Sequence, residues 1–122
     1  MVNLAGLAYR PRTTNLTQGF CSAVDFVVLL LGTSGPMRLS AIYAALSSFR
    51  GVPLNANGQV GRCNHLFNRI YGYVSFASNP NVPWPVFFCR AGTTSTSLWY
   101  RVSPGVYALN ANGLARFRRL VA

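Results

Sequence analysis

The chain has 122 residues, with eleven arginines, no lysine, no glutamate and one aspartate, Asp25, for a formal charge of +10. A surface so poor in acids needs a polyanionic partner or a strongly anionic setting, and a single carboxylate side chain excludes acid–base chemistry by paired carboxylates. The apolar share of 51% supports the core of one ordinary domain and excludes a disordered basic tail.

In chain order, residues 1–16 read as an irregular basic arm carrying Arg10 and Arg12, and residues 17–122 as a single domain. The arm is faintly similar in composition to a transit peptide, but Pro11 and poor helical periodicity favour an uncleaved arm. Thr17 is the expected N-cap of a first helix running to Leu31 and closed by Gly32. That helix is apolar nearly all round, from Val24 through Leu31, so it must be covered on more than one side. Two coverings are open: a homodimer or other protein partner through 17–31, or a central position wrapped by the arm and the tail. The apolar run 20–31 is too short to span a bilayer and contains Asp25, so no membrane partner is expected.

Residues 33–36 form a turn, and Met37, Arg38 and Leu39 a very short strand. Ser40 is the expected cap of a second helix with Ile42, Tyr43, Leu46 and Phe49 at helical spacing. A loop follows over 51–58. The spacing predicts a third helix over 59–73, with Cys63, Leu66, Phe67 and Ile70 inward and Arg62, Asn64, His65, Asn68 and Arg69 outward. The prolines within 77–85 dictate loop. Residues 86–90 and 98–102 are β-type runs around a polar hairpin tip over 91–97. Pro104-Gly105 is a further turn, 106–109 a third β-type run, and Asn112-Gly113 opens a closing helix with Arg116, Arg118 and Arg119. One echo stands out: Leu54-Asn55-Ala56-Asn57-Gly58 returns as Leu109-Asn110-Ala111-Asn112-Gly113. Both copies are expected to be helix-opening turns ahead of an Arg-bearing helix.

Three widely spaced cysteines, Cys21, Cys63 and Cys89, with no C-x-x-C pair, point to buried thiols in a reducing compartment. The expected location is intracellular, with nucleoid, organelle and virion all open. Cys63-x-His65 lacks the grouping of a metal site, and Cys63 falls on the core face. No metal or cofactor is expected. Nothing like a nucleophile elbow surrounds any serine, so no enzymatic activity is expected. Asp25 is most simply an ion-pair partner for an arginine, and Trp99 more simply core than a base-stacking ring.

The predicted order of helix, short strand, helix, helix and hairpin resembles the winged helix-turn-helix family, an α+β fold with a three-helix core, a β-hairpin wing and here a C-terminal helix. Gly35-Pro36-Met37-Arg38 is similar to the turn and strand leading into the second helix of such domains. Gly105-Val106-Tyr107-Ala108-Leu109 resembles the end of the returning wing strand, and the segment 110–116 the start of the helix after it. The likeness covers residues 18–120. It departs from the family in the long connection between the second and third helices and in the proline-rich stretch 77–85.

The resemblance implies that the third helix reads nucleic acid. Arg62, His65 and Arg69 form its exposed stripe with Asn64 and Asn68 beside them, and Arg and Asn are the residues that bond guanine and adenine edges in the major groove. Arg90 and Arg101 flank the expected hairpin, where Thr93 and Thr94 offer hydroxyls to phosphate. Arg116, Arg118 and Arg119 are expected on phosphate without sequence preference. Arginine in place of lysine fits both GC-rich coding and a two-bond grip on phosphate. The functional expectation is a nucleic-acid-binding protein, DNA ahead of RNA, acting as a regulator or architectural protein. The alternative is a structural RNA- or protein-binding component of a large nucleoprotein assembly such as an organellar ribosome or a virion. A pure protein-interaction module is a further possibility.

Overall fold

The computed structural model describes residues 4–61, 63–67, 74–75 and 97–122. These form a mixed helix-and-sheet fold of α+β type around one apolar helix, α1 (Ala23–Ser34). Ser22 caps it, its hydroxyl accepting from the Asp25 amide at 3.2 Å, and Gly35 ends it at φ 77. Burial outweighs the caps. Asp25 through Leu31 are all buried, and Val27, Val28 and Leu29 fully so. Each such apolar side chain contributes about 1.5–3 kcal/mol, against about 1 kcal/mol for a cap.

The covering comes from the chain itself. The 3-10 turn Leu4–Gly6, α2 (Leu39–Arg50), β6 (Val106–Leu109) and α3 (Ala111–Val121) all pack on α1. The stretch Asp25–Leu31 is therefore covered within one chain, the second of the two expected coverings, and nothing among the described residues supports the dimer expected through 17–31. The expected start and stop of this helix also move. Thr17 and Gly19 lie in a turn, Phe20–Cys21 form β2, and β2 pairs in parallel with β1 (Ala8–Tyr9). Gly32 lies inside the helix because Phe117 of α3 packs where its Cβ would be.

α2 begins one residue before the expected cap. Arg38 holds the cap position without a side-chain bond, and the Leu39 amide instead donates to the Gly105 carbonyl at 2.7 Å. Ile42, Tyr43 and Leu46 are buried, Phe49 stacks on Phe26 at 4.1 Å, and Gly51 closes the helix in the left-handed region.

The larger sheet has the order β3 (Met37–Arg38), β6, β5 (Trp99–Ser103), β4 (Val74–Ser75). β3–β6 and β6–β5 are antiparallel, and β4 joins β5 in parallel. The β5–β6 hairpin turns at Pro104-Gly105, with Gly105 at φ 77, the proline-then-glycine order of a type II turn. The described hairpin thus spans 99–109; the tip expected over 91–97, like the strand over 86–90, lies outside the described residues except Ser97, which is buried. Trp99 is fully buried, its indole N–H donating to the Leu66 carbonyl at 2.9 Å and its ring stacked on Phe67, so it is core.

The helix expected from residue 59 does not form at its start. The Asn55 side chain accepts from the amides of Asn57 and Gln59, which holds the chain in a turn. The Cys63 and Leu66 amides then bond carbonyls three residues back, at Val60 and Cys63. The result is a 3-10 turn, Asn64–Phe67. Cys63, Leu66 and Phe67 still face the core as expected; the three-residue repeat of a 3-10 turn returns Leu66 to the side of Cys63. Residues 68–73 lie outside the described residues.

Candidate nucleic-acid interface and an arginine-lined cleft

Of the residues expected to touch nucleic acid, Arg62, Asn68, Arg69, Arg90, Thr93 and Thr94 lie outside the described residues, and Asn64 and His65 lie on the 3-10 turn. Arg101 is exposed on β5, and Arg118 and Arg119 are exposed in the last turn of α3. Arg101 is also close enough to the Tyr107 phenol to oppose the rise in its pKa that burial causes.

Arg116 has a different position from its neighbours. Its Nε donates to Asp25 Oδ1 at 2.6 Å, with the aspartate side chain 6% exposed. The other carboxylate oxygen accepts from the Thr14 hydroxyl at 2.5 Å, and Thr14 Oγ1 in turn accepts from the Ser22 amide at 3.1 Å. The lone acid therefore ties the N-terminal segment, α1 and α3 together, and removing Arg116 leaves the buried carboxylate with the Thr14 hydroxyl but without its counter-charge. Arg116 is held in this junction, not presented outward like Arg118 and Arg119.

The two N-terminal arginines both stay exposed. Arg10 lies over the Phe20 ring at 4.2 Å. Arg12 is exposed and occupies the left-handed region at φ 57, a conformation that costs a non-glycine residue roughly 1–2 kcal/mol.

Arg12, Arg50 and Arg116 line one cleft of about 640 Å³, together with Tyr9, Thr14, the first turn of α1 and Cys63. Arg50 reaches it from the last residue of α2. Its guanidinium sits 4.4 Å over the Tyr9 ring and donates through Nη1 to Cys63 Sγ at 3.0 Å. Arg50 Nε is buried without an acceptor. The cleft thus sets three guanidinium groups against one carboxylate, and Arg116 already holds that carboxylate. Sequence reading missed this cleft, because Arg12 and Arg50 are far apart in the chain and only the packing of β1 against α2 brings them to one place.

Among the described residues no group of His, Cys, Asp and Glu could hold a metal ion, and no helix is long and apolar enough to cross a membrane. Cys21 and Cys63 are free and buried; burial, with Asp25 nearby, raises the Cys21 thiol to about 12. Comparison with known protein families, characterised proteins and solved structures gives no match.

Proposed function

We propose that this chain is a nucleic-acid-binding protein on a winged-helix plan, with DNA ahead of RNA as its ligand. One observation carries the reading: the only acidic side chain of the chain is turned inward onto Arg116 and Thr14. Arg118 and Arg119 therefore stand on an exterior that has no other acidic side chain. The winged-helix plan is supported by the helix–strand–helix lead-in, the antiparallel order β3-β6-β5 and the tight hairpin between the last two strands. On this plan Arg101, Arg118 and Arg119 hold phosphates. The segment 59–73, with Arg62, Asn64, His65, Asn68 and Arg69, reads bases, entered through a 3-10 turn. The protein is a binder and not a catalyst.

A salt titration against matched duplex DNA and structured RNA tests this. Affinity should fall steeply with salt, and Arg118→Gln with Arg119→Gln should lower the slope by about 2. A flat salt profile removes the reading. An Arg62→Ala, Arg69→Ala variant that keeps full sequence preference removes the base-reading role of that segment.

A second reading, a structural component of a large nucleoprotein assembly, is favoured by one feature. Val52, Leu54, Val102, Leu114 and Val121 are exposed on the same exterior as the arginines, positions that neighbouring subunits would cover. Tight RNA binding without sequence preference in the same titration selects this reading.

A further inference from the structure

We infer that the cleft between the N-terminal segment, the start of α1 and the end of α2 binds a phosphomonoester, with Arg12 and Arg50 as its cationic ligands. This site is separate from the exterior surface proposed above and does not depend on it.

Four observations converge on the cleft. First, Arg50 has a buried Nε with no acceptor. A buried donor left unsatisfied costs about 1–3 kcal/mol, and its other contacts, the Tyr9 face and the Cys63 sulfur, are neutral or weak acceptors that leave the charge unanswered.

Second, Arg12 holds a backbone conformation that glycine or asparagine adopts more readily. The position follows Pro11, where a turn would ordinarily place one of those residues. Arginine there adds a guanidinium to the cleft wall at a cost to the turn, and it has no acceptor among the described residues.

Third, the first turn of α1 lines the same cleft. The amides of Ala23 and Val24 have no intrahelical acceptor, as at the start of any helix, and the helix dipole favours an anion there. Fourth, the one group that would repel an anion, Asp25, is neutralised by Arg116 at 2.6 Å.

A phosphate group fits this set by charge and by acceptor count. A monoester carries about −1.5 to −2 charge near neutral pH and three terminal oxygens, enough to answer the charge of two guanidinium groups. A volume of about 640 Å³ lies in the range of sites for small organic ligands, so the ester portion can enter too. The monoester can be a free nucleotide or the 5′-phosphate end of a strand, and the two sources separate experimentally.

The test is calorimetric titration of the full chain with AMP, inorganic phosphate and adenosine. AMP and inorganic phosphate should saturate a single site, and adenosine should not bind. Arg50→Gln should weaken AMP binding by about tenfold or more, equal to about 1.4 kcal/mol. Because Arg50 also supports Tyr9 and Cys63, Arg12→Asn provides the second arm: it keeps the left-handed backbone, removes an exposed fork, and should weaken AMP to a similar degree with a melting temperature no lower than that of the parent chain. Arg38→Gln, an equal loss of charge on β3, should leave AMP binding as it was. A 5′-phosphorylated oligonucleotide binding about tenfold tighter than its 5′-hydroxyl twin assigns the ligand to a strand end; equal binding of the twins, with AMP still saturating, assigns it to a free nucleotide. Absence of saturable AMP and phosphate binding overturns the inference, as does saturable binding that survives both Arg12→Asn and Arg50→Gln. Neither result bears on the salt dependence of duplex binding.

Discussion

The same five residues, Leu-Asn-Ala-Asn-Gly, build an exposed loop at 54–58 and, at 109–113, a helix start whose Leu109, Asn110 and Gly113 are buried. In both copies the first asparagine uses its side-chain oxygen to collect backbone amides. Asn55 takes those of Asn57 and Gln59, and the Asn55 amide donates to the Gln59 carbonyl, closing the loop. Asn110 takes the Gly113 amide at 2.9 Å, and α3 proceeds from it. What differs is the company each copy keeps. Asn110 is 5% exposed, its amide nitrogen donates to the Ser97 carbonyl at 2.8 Å, and Gly113 lies directly against the Leu98 carbonyl. Leu54 is 45% exposed, and no heavy atom lies near Gly58 where a Cβ would be. The residues downstream settle the rest. Gly113, Phe117 and Leu120 share one helical face, with Phe117 and Leu120 packed on the core; the matching positions after Gly58 are Arg62 and His65. A short motif supplies the acceptor, and tertiary packing decides whether a helix grows from it.

Substitutions can break this pair. Asn110→Ala should have the largest effect, about 3 kcal/mol in urea unfolding, because it removes a cap and strands the buried amide and hydroxyl partners around it. Gly113→Ala should cost about 2 kcal/mol, since a Cβ there meets the Leu98 carbonyl and the strand end must shift. Gly58→Ala should cost about 1 kcal/mol, from the left-handed backbone alone at φ 74. Asn55→Ala should cost under about 1 kcal/mol, measured in the same series, because water replaces its exposed bonds. Equal losses at Asn55 and Asn110 would show that the motif itself carries the stability.

Alkali sharpens the contrast more gently. Tyr43 is pushed up to about 12 from 10.0 by burial, and burial raises Tyr107, next door to the second copy, in the same direction. The unfolded chain releases these protons first, so stability should fall as pH rises from about 10 toward 12. Loop 51–58 contains no titratable side chain. Hydrogen exchange corrected for intrinsic rate should therefore change in the sheet and α3 and not in that loop.

Much of the fold was legible where the signal was local. Pro104-Gly105 marked a turn between two β-type runs, although the hairpin itself was expected around 91–97; the Ile42, Tyr43, Leu46 spacing marked α2, and the all-apolar stretch of α1 required covering on more than one side. Asp25 as an ion-pair partner followed from there being no other acid to pair with eleven arginines. What sequence could not supply was non-local. Thr17 and Ser22 are both competent hydroxyl caps, and the choice between them was made by β1, which holds Phe20 and Cys21 as a strand. Gly32 reads as a helix stop until Phe117 is seen against it. The cleft of Arg12 and Arg50 left no pattern at all, because its members belong to separate elements joined only by packing.

The inward placement of Asp25 has a kinetic consequence. With its single acidic side chain internal, the molecule has no negative face to set against its positive ones, so its charge accelerates approach to a polyanion without turning it into register. If the proposed nucleic-acid-binding function holds, first encounters would be made in many orientations, and productive docking would follow by rotation and sliding along the strand. Duplex association should be fast and strongly salt-sensitive, while discrimination between ligands should reside in how long each complex lasts.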